Sequence, residues 1–321
     1  MPEIFAGVDV GGTTVKCALA DQDGNVLREG TIDTDSHYGP KEVLKRIGDL
    51  VLKLAGELGE SQLVALGMGL PGLVDLHAGE TRYLPNMTAH WKNVPVSAIL
   101  SEQIQCRVLL LNDVRTATLG ELTFREGPAA KTMVFIAIGT GIGGGIVIDG
   151  KLRLGPLGAA GELGHQTIDR TGPLCGCGNH GCLETLASGT ALAAEGIRLM
   201  LMGLAPNLHD LVDGEPGRVD VEMMGQVADQ DDAVRDAILN AASDIAIGVA
   251  NVVTTVHPDL VVIGGGVANL GPLLLDRIRE DVETRVGRLF PVDDIRIEKS
   301  QLGAKAGVLG AVALAIHGFP D

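Results

Sequence analysis

A strand, a Gly/Thr turn and a second strand recur in this chain at two matching places. That recurrence limits the fold more than any other feature. Residues 4–10 are apolar and run into Asp9-Val10-Gly11-Gly12-Thr13-Thr14, after which residues 15–19 are apolar again. Residues 132–138 run into Gly139-Thr140-Gly141-Ile142-Gly143-Gly144-Gly145, and residues 146–148 resume the apolar pattern. Each unit reads as a β-hairpin, and the pair predicts an internal duplication. Further strands are expected at 25–32, 63–70, 107–111, 260–263 and 295–297. Helices are expected at 42–58, 94–104, 117–124, 190–202, 221–228, 233–256, 273–286 and 306–316. Residues 206–220, rich in Gly, Pro and acids, read as a surface excursion.

The chain has 321 residues, 45% of them hydrophobic, enough for a large core and more than one domain. Its 45 glycines and 2% aromatics suit aliphatic strands with glycine turns better than an aromatic-rich β-sandwich. Lys plus Arg number 25 against 41 Asp plus Glu, a formal net charge of −16. That balance argues against holding nucleic acid through phosphate contacts. The opening Met-Pro-Glu-Ile-Phe-Ala-Gly has no basic segment before an apolar one, so no signal peptide is read. Glycine clusters interrupt the longest apolar runs, so no membrane span is expected. Reduced thiols and a cytoplasmic location follow. Cys17 and Cys106 lie in apolar runs and read as inert core thiols.

The two Gly/Thr turns suit phosphate. Glycine lets backbone N–H groups approach phosphate oxygens, and threonine hydroxyls add donors. Asp9 beside the first turn suits Mg2+ held through water. Either turn alone is equally a tight hairpin, but a triphosphate held between two domains needs one loop from each. Neither matches the Gly-x-x-x-x-Gly-Lys-Ser/Thr loop, and residues 139–144 lead into a strand, against a dinucleotide site. Gly264-Gly265-Gly266 offers bare backbone to a base or ribose, or is a plain strand-to-helix turn. Asn112-Asp113 ends a buried strand, where α/β proteins place catalytic groups. A carboxylate there can take a proton from a hydroxyl; the pair equally suits a helix cap.

Residues 161–184 hold Gly-Glu-Leu-Gly-His and then Cys-Gly-Cys-Gly-Asn-His-Gly-Cys-Leu-Glu. Three thiolates and an imidazole make a closed tetrahedral zinc shell. Disulfides suit the cluster poorly: Cys-x-Cys neighbours bridge only with strain, and three cysteines leave one over. Glu162 and Glu184 stand at the ends of the wrap. Spacing does not choose between His165 and His180 as the fourth ligand.

In order along the chain stand Asp9-x-Gly-Gly-Thr, Asn112-Asp113, Gly139-Thr-Gly-x-Gly-Gly-Gly, Gly161-Glu-Leu-Gly-His165 and Cys175-x-Cys-Gly-x-x-Gly-Cys182-x-Glu184. This series resembles the ROK family (repressors, open reading frames and sugar kinases) over nearly the full length, and its sugar kinases most. The resemblance implies an α/β, actin-like ATPase (ribonuclease H-like) fold of two α/β domains with a cleft between. Residues 1–116 plus 305–321 would form one domain and 117–304 the other. It implies Asp113 as catalytic base, with Gly72, Asn86, Asn112, Asp113, Glu162, His165 and Glu184 at the sugar. Asp9, Gly11, Gly12, Thr13, Thr14, Lys16, Gly139, Thr140, Gly141, Gly265 and Gly266 would meet the nucleotide. His165, Cys175, Cys177 and Cys182 would hold a structural zinc, which favours His165 over His180.

The implied activity is ATP-dependent phosphorylation of a hexose, with Mg2+ on the ATP and the glucose 6-hydroxyl as expected acceptor. N-acylmannosamine, N-acetylglucosamine and fructose kinases share these motifs. A sugar-responsive repressor is a different class; the first strand, from Ile4, leaves no room for a helix-turn-helix before it, and the charge does not suit DNA. A zinc-stabilised sugar-binding protein without catalysis is a third, against which Asp9 and Asp113 argue. No nucleic-acid or membrane partner is expected, and a homo-oligomer, dimer or tetramer, is.

Overall fold

The computed structural model describes residues 1–84, 87, 91–288, 291 and 294–319. The chain forms two compact units, Met1–Ala129 with Gly150–Ala160 and Gln301–Asp321, and Ala130–Asp149 with Gly161–Ser300. The first unit begins β1 (Glu3–Val10), β2 (Thr14–Ala20), β3 (Val26–Asp33), α1 (Pro40–Gly56), β4 (Gln62–Leu70), β5 (Leu73–Asp75) and β6 (Glu80–Tyr83). It continues with α2 (Val96–Ile104), β7 (Arg107–Asn112) and α3 (Asp113–Phe124). The second unit opens with β8 (Met133–Ile138) and β9 (Ile142–Ile148), after which β10 (Lys151–Leu152) returns to the first. Next come α4 (Leu183–Ala187), α5 (Gly189–Leu201), α6 (Pro206–Leu211), α7 (Val221–Val227), α8 (Asp232–Val256), β11 (Leu260–Gly264), α9 (Pro272–Val286) and β12 (Arg296–Lys299). The last helix, α10 (Ala306–His317), belongs to the first unit.

In the first unit the sheet order is β3-β2-β1-β4-β7. The β1–β2 hairpin is antiparallel and sets Asp9 opposite Lys16; β4 and β7 add in parallel. Strand alternation sends Ile4, Ala6, Val8 and Val10 into one core layer with Val43, Leu44, Ile47 and Val51 of α1. That helix forms because these residues recur on one face, and Pro40 opens its first turn without a lost hydrogen bond. The other face of the sheet carries α10. A Cβ on Gly7 would collide with the backbone of Val308 and Val312, and one on Gly67 with Ala311. Gly120 of α3 and Gly310 of α10 press together in the same way. Small residues thus let α10 lie directly on sheet and helix backbone.

In the second unit β9, β8, β11 and β12 are hydrogen-bonded in that order, β8–β9 antiparallel and the rest parallel. This repeats β2-β1-β4-β7, so the duplication read from the two Gly/Thr turns holds at the level of strand pairing. The central helix α8 is long and apolar enough to cross a membrane by length and composition. Its buried stripe, from Val234 through Ile238, Ala242, Ile245 and Val249 to Val253, packs instead into this unit's core.

Three expectations need correction. Residues 206–220 are not a surface excursion. Leu208, Val212 and Val219 are buried in the core of the second unit, because apolar residues recur between the acids at near-helical intervals. The glycine run at 264–266 does open a helix, the short 3-10 helix Gly266–Leu270, and α9 starts at Pro272, next to the expected start at 273. Helix α2 begins at Val96, since Pro95 stands at its N-cap. Cys17 is a core thiol, but Cys106 precedes β7 and is only partly buried, with burial pushing its thiol up to about 11.

Gly310→Ala tests the α10 seat. The added methyl would meet the Thr116 carbonyl and the Gly120 amide, and overpacking of this kind costs about 1–3 kcal/mol. Urea unfolding should show a loss in that range; an unchanged midpoint would refute the close approach.

Candidate active site

The first Gly/Thr turn is closed by Gly11 N–H donating to Thr14 O at 2.9 Å. Its far side is tied down by Thr34, whose N–H donates to Thr13 O (2.8 Å) and whose hydroxyl donates to Gly11 O (2.7 Å). Gly12 and Thr13 stay exposed at the tip. Lys16, across from Asp9, donates to Ala304 O at 2.9 Å. Burial pushes the Asp9 carboxyl up, and the Lys16 charge opposes the push.

Asn112 ends β7 and caps α3. Its Oδ1 accepts from Val114 N (3.0 Å) and Arg115 N (3.2 Å), which satisfies two of the N–H groups every helix start leaves unpaired. The cap and the catalytic reading of this pair therefore coexist: the cap places Asp113 in the first turn of α3. Both Nδ2 hydrogens of Asn112 are used, one on Gly72 O (3.0 Å) and one on Asp113 Oδ1 (2.9 Å). Gly72 has φ +84°, a conformation that favours glycine. Asp113 Oδ1 also accepts Val114 N at 2.8 Å. Among the described residues its Oδ2 has no partner. Burial pushes the Asp113 carboxyl up to about 6, the Asp9 charge adds to this, and the Val114 N–H and then Arg115 oppose it.

In the second unit the loop Gly139–Gly141 is bound to the start of α5. Gly189 N–H donates to Gly139 O and the Thr190 hydroxyl to Thr140 O, both at 2.8 Å. Ser188 caps α5 through Ala191 N. A cavity of about 1140 Å³ opens from this loop. Its walls come from α5, α7 and the Gly266–Leu270 turn, and include Ala193, Ile197, Val221 and Leu270 with Gln226 and Asn269. Gly265, with φ +81°, brings the turn so near Ile138 that a side chain would collide. Loop N–H groups and a helix start stand at one end and an apolar cleft beyond, an arrangement whose chemistry suits phosphates and a base.

The cysteine loop folds around its own sulfurs. Cys175 Sγ lies 3.6 Å from His165 Nδ1, and Cys177 Sγ lies 3.7 Å from Cys182 Sγ. All four ligand atoms fall within 4.8 Å of one another. A tetrahedral zinc with ordinary bond lengths requires edges of about 3.6 Å for N to S and about 3.8 Å for S to S. Burial and the neighbouring thiols push the Cys182 thiol up, whereas the Asn179 backbone holds that of Cys177 down. The donor set fits zinc. His180 turns away, its Nδ1 lying 3.3 Å from Gly172 O. The loop hydrogen-bonds to the Gly-Glu-Leu-Gly-His segment through Leu183 N to Gln166 O at 2.9 Å. Glu184 Oε2 accepts Ile142 N at 2.9 Å, which ties the loop to the second Gly/Thr turn. Glu162 is exposed before the Leu163–His165 turn.

Asn86 lies outside the described residues. Sequence reasoning passed over Arg115, which is 1% exposed. Its signal was a charged residue sharing a helical stripe with Leu119. Also passed over was Thr190, which holds the second turn by its hydroxyl.

The model of the ROK family matches residues 5–317. The glucokinase of Thermotoga maritima is 35% identical over 322 residues, 98% of this chain and 98% of that one. A xylose repressor of Caldicellulosiruptor bescii is 31% identical over 98% of this chain and 79% of its own length. The crystal structure of a ROK family glucokinase from Streptomyces griseus, in complex with glucose and AMPPNP, superposes with a TM-score of 0.83. It is 30% identical and covers 97% of this chain and 99% of that one. Two sheets of repeated strand order, each with a Gly/Thr turn, are thus the actin-like ATPase fold, and the chain belongs to the ROK family.

Proposed function

We propose that this chain is an ATP-dependent hexose kinase that converts glucose to glucose 6-phosphate. The observation that carries the proposal is Asp113: one carboxylate oxygen is held by two N–H donors, the other has no partner among the described residues, and the carboxyl is pushed up to about 6. A carboxylate so arranged is a base for a hydroxyl near neutral pH. The likeness to glucokinases over nearly the whole chain supports sugar as the acceptor and ATP as the donor. The likeness to xylose repressors is weaker and leaves Asp113 without a task.

Asp113 Oδ2 takes the proton of the 6-hydroxyl as that oxygen bonds to the γ-phosphorus and the bond to the ADP oxygen breaks. The Asp9–Thr14 and Gly139–Gly141 turns, with Lys16, hold the phosphates, and the cavity behind Gly265-Gly266 takes adenosine. Positioning and charge supply most of the rate in such a transfer. Magnesium, when bound, neutralises phosphate charge, and Asp9 is the carboxylate to hold it through water. Glu162, His165 through Nε2, and Glu184 through Oε1 bind ring hydroxyls, and Gly72 and Asn86 are further sugar contacts in this reading. Asn112 contributes mainly by holding Asp113. The His165, Cys175, Cys177 and Cys182 set would hold a structural zinc, which would orient His165 and Glu184.

Asp113→Asn should lower kcat by roughly 10²–10⁴-fold with little change in sugar affinity; near-normal turnover would rule out the base. Because the base works deprotonated, kcat/KM should fall as pH drops through about 6, and a flat profile down to pH 5 would count equally against it.

Elemental analysis should find one zinc per chain, lost in Cys175→Ser and His165→Ala and kept in His180→Ala. Active protein that carries no zinc refutes the metal.

Glucose is the acceptor that the likeness to glucokinases supports, so it should give the highest kcat/KM among glucose, mannose, fructose, N-acetylglucosamine and N-acetylmannosamine. An N-acetylated sugar ahead by about tenfold would move the acceptor and leave the kinase chemistry in place.

A further inference from the structure

The Asn112 carboxamide can sit in either of two orientations, and only one presents N–H to Asp113. Arg115 bears on that choice. It is 1% exposed, one turn into α3. Its Nη1 donates to Asn112 Oδ1 at 3.0 Å and its Nε to Ala160 O at 3.0 Å. The guanidinium has donors only, so an Asn112 amide turned the other way would set N–H against N–H. Oxygen toward Arg115 leaves Nδ2 facing Gly72 O and Asp113 Oδ1.

Capping α3 does not require this cation, because Asn112 Oδ1 already accepts two backbone N–H groups. A guanidinium taken out of water carries a desolvation cost that a helix cap alone would not justify. The Ala160 carbonyl fixes the fork from its other side, so Arg115 is itself held in one orientation.

We infer that Arg115 is a positioning residue for phosphoryl transfer: through Asn112 it fixes the carboxylate of Asp113 with Oδ2 free for the acceptor hydroxyl. The inference rests on Asp113 being the base. Arg115 touches no reacting atom in this scheme. Its positioning of the base is made through the Asn112 amide, beside the direct effect of its charge on the Asp113 carboxyl, and it sets how often the base is aimed correctly rather than how tightly sugar or nucleotide binds.

The test is steady-state kinetics on Arg115→Lys, Asn112→Ala and the double variant, with Asp113→Asn alongside. Lysine keeps the buried charge, and so the fold, but has no fork to reach Ala160 and Asn112 together. Rates are taken per folded molecule, from the amplitude of thermal unfolding. In Arg115→Lys, kcat should fall by about tenfold or more, while KM for glucose and for MgATP moves less than about threefold. The double variant should be no slower than Asn112→Ala, since a residue acting through another adds nothing once that other is gone.

A kcat within about twofold of the parent in Arg115→Lys, or losses that multiply in the double variant, would overturn the proposal. Should Arg115→Lys fail to fold, the same cycle is run with Arg115→Gln, which keeps a donor for one partner and is read against the same limits. Near-normal turnover in Asp113→Asn would instead remove the base on which the inference rests. An inactive Asp113→Asn beside an unaffected Arg115→Lys would remove this inference alone.

Discussion

The seating of α10 on bare backbone is the constraint from which the first unit takes its form. Gly7 and Gly67 in adjacent strands, and Gly120 on α3, leave no room for a side chain beneath that helix. The helix can therefore come close enough to exclude water from the strand face that ends in Asp9. Gly307, in the first turn of α10, packs against the Asp9 carboxylate. The raised affinity of Asp9 and Asp113 for protons comes first from burial, and at Asp9 this packing contributes to it. Two carboxylates held in this way weaken the fold at neutral pH, because each ionises more easily in the unfolded chain. That is the usual relation between a working site and its scaffold.

The cysteine loop has a different origin of order. Little of its length is apolar and buried: Leu174 is 66% exposed and Cys177 is exposed as well. A hydrophobic core cannot hold such a segment. What shapes it is local hydrogen bonding, as in Cys175 N to Asn179 O at 2.7 Å, and a glycine at 181 with φ +61° packed on Asp169 O. The four ligand atoms converge within 4.8 Å of one another, and two of their separations match edges a tetrahedral cation would span. Through Glu184 and Ile142 the same loop braces the second Gly/Thr turn. One segment thus bears on both the sugar groups and the phosphate groups of the proposed reaction.

The two Gly/Thr turns differ in how they are held, although the strands around them pair alike. The first is fastened by Thr34 and the second by the start of α5. The second opens onto a cavity lined by apolar side chains of α5 and α7. A duplicated frame has acquired one turn backed by a carboxylate and another backed by a nucleotide-sized cleft. Divergence of this kind is expected where a site draws different chemistry from equivalent strand ends.

Much of this was legible in the residues themselves. Alternation and glycine turns marked both hairpins, and apolar spacing marked α1, α5, α8 and α9, because these patterns follow from local geometry. The thiols were legible as a cluster because their spacing is short. Residues 206–220 were misread, since scattered Leu208, Val212 and Val219 reveal a core face only when a core is present to receive them. Spacing left His165 and His180 equivalent; the choice depends on which imidazole the folded loop turns toward the sulfurs, and that is Nδ1 of His165. Arg115 was silent for the same reason. Its partners, Asn112 and Ala160, lie 3 and 45 residues away. Sequence by itself determined the two hairpins and the strongly periodic helices, because those follow from neighbours along the chain. Only tertiary structure decided which buried donor meets which acceptor, because those distances are set when segments remote in sequence pack together.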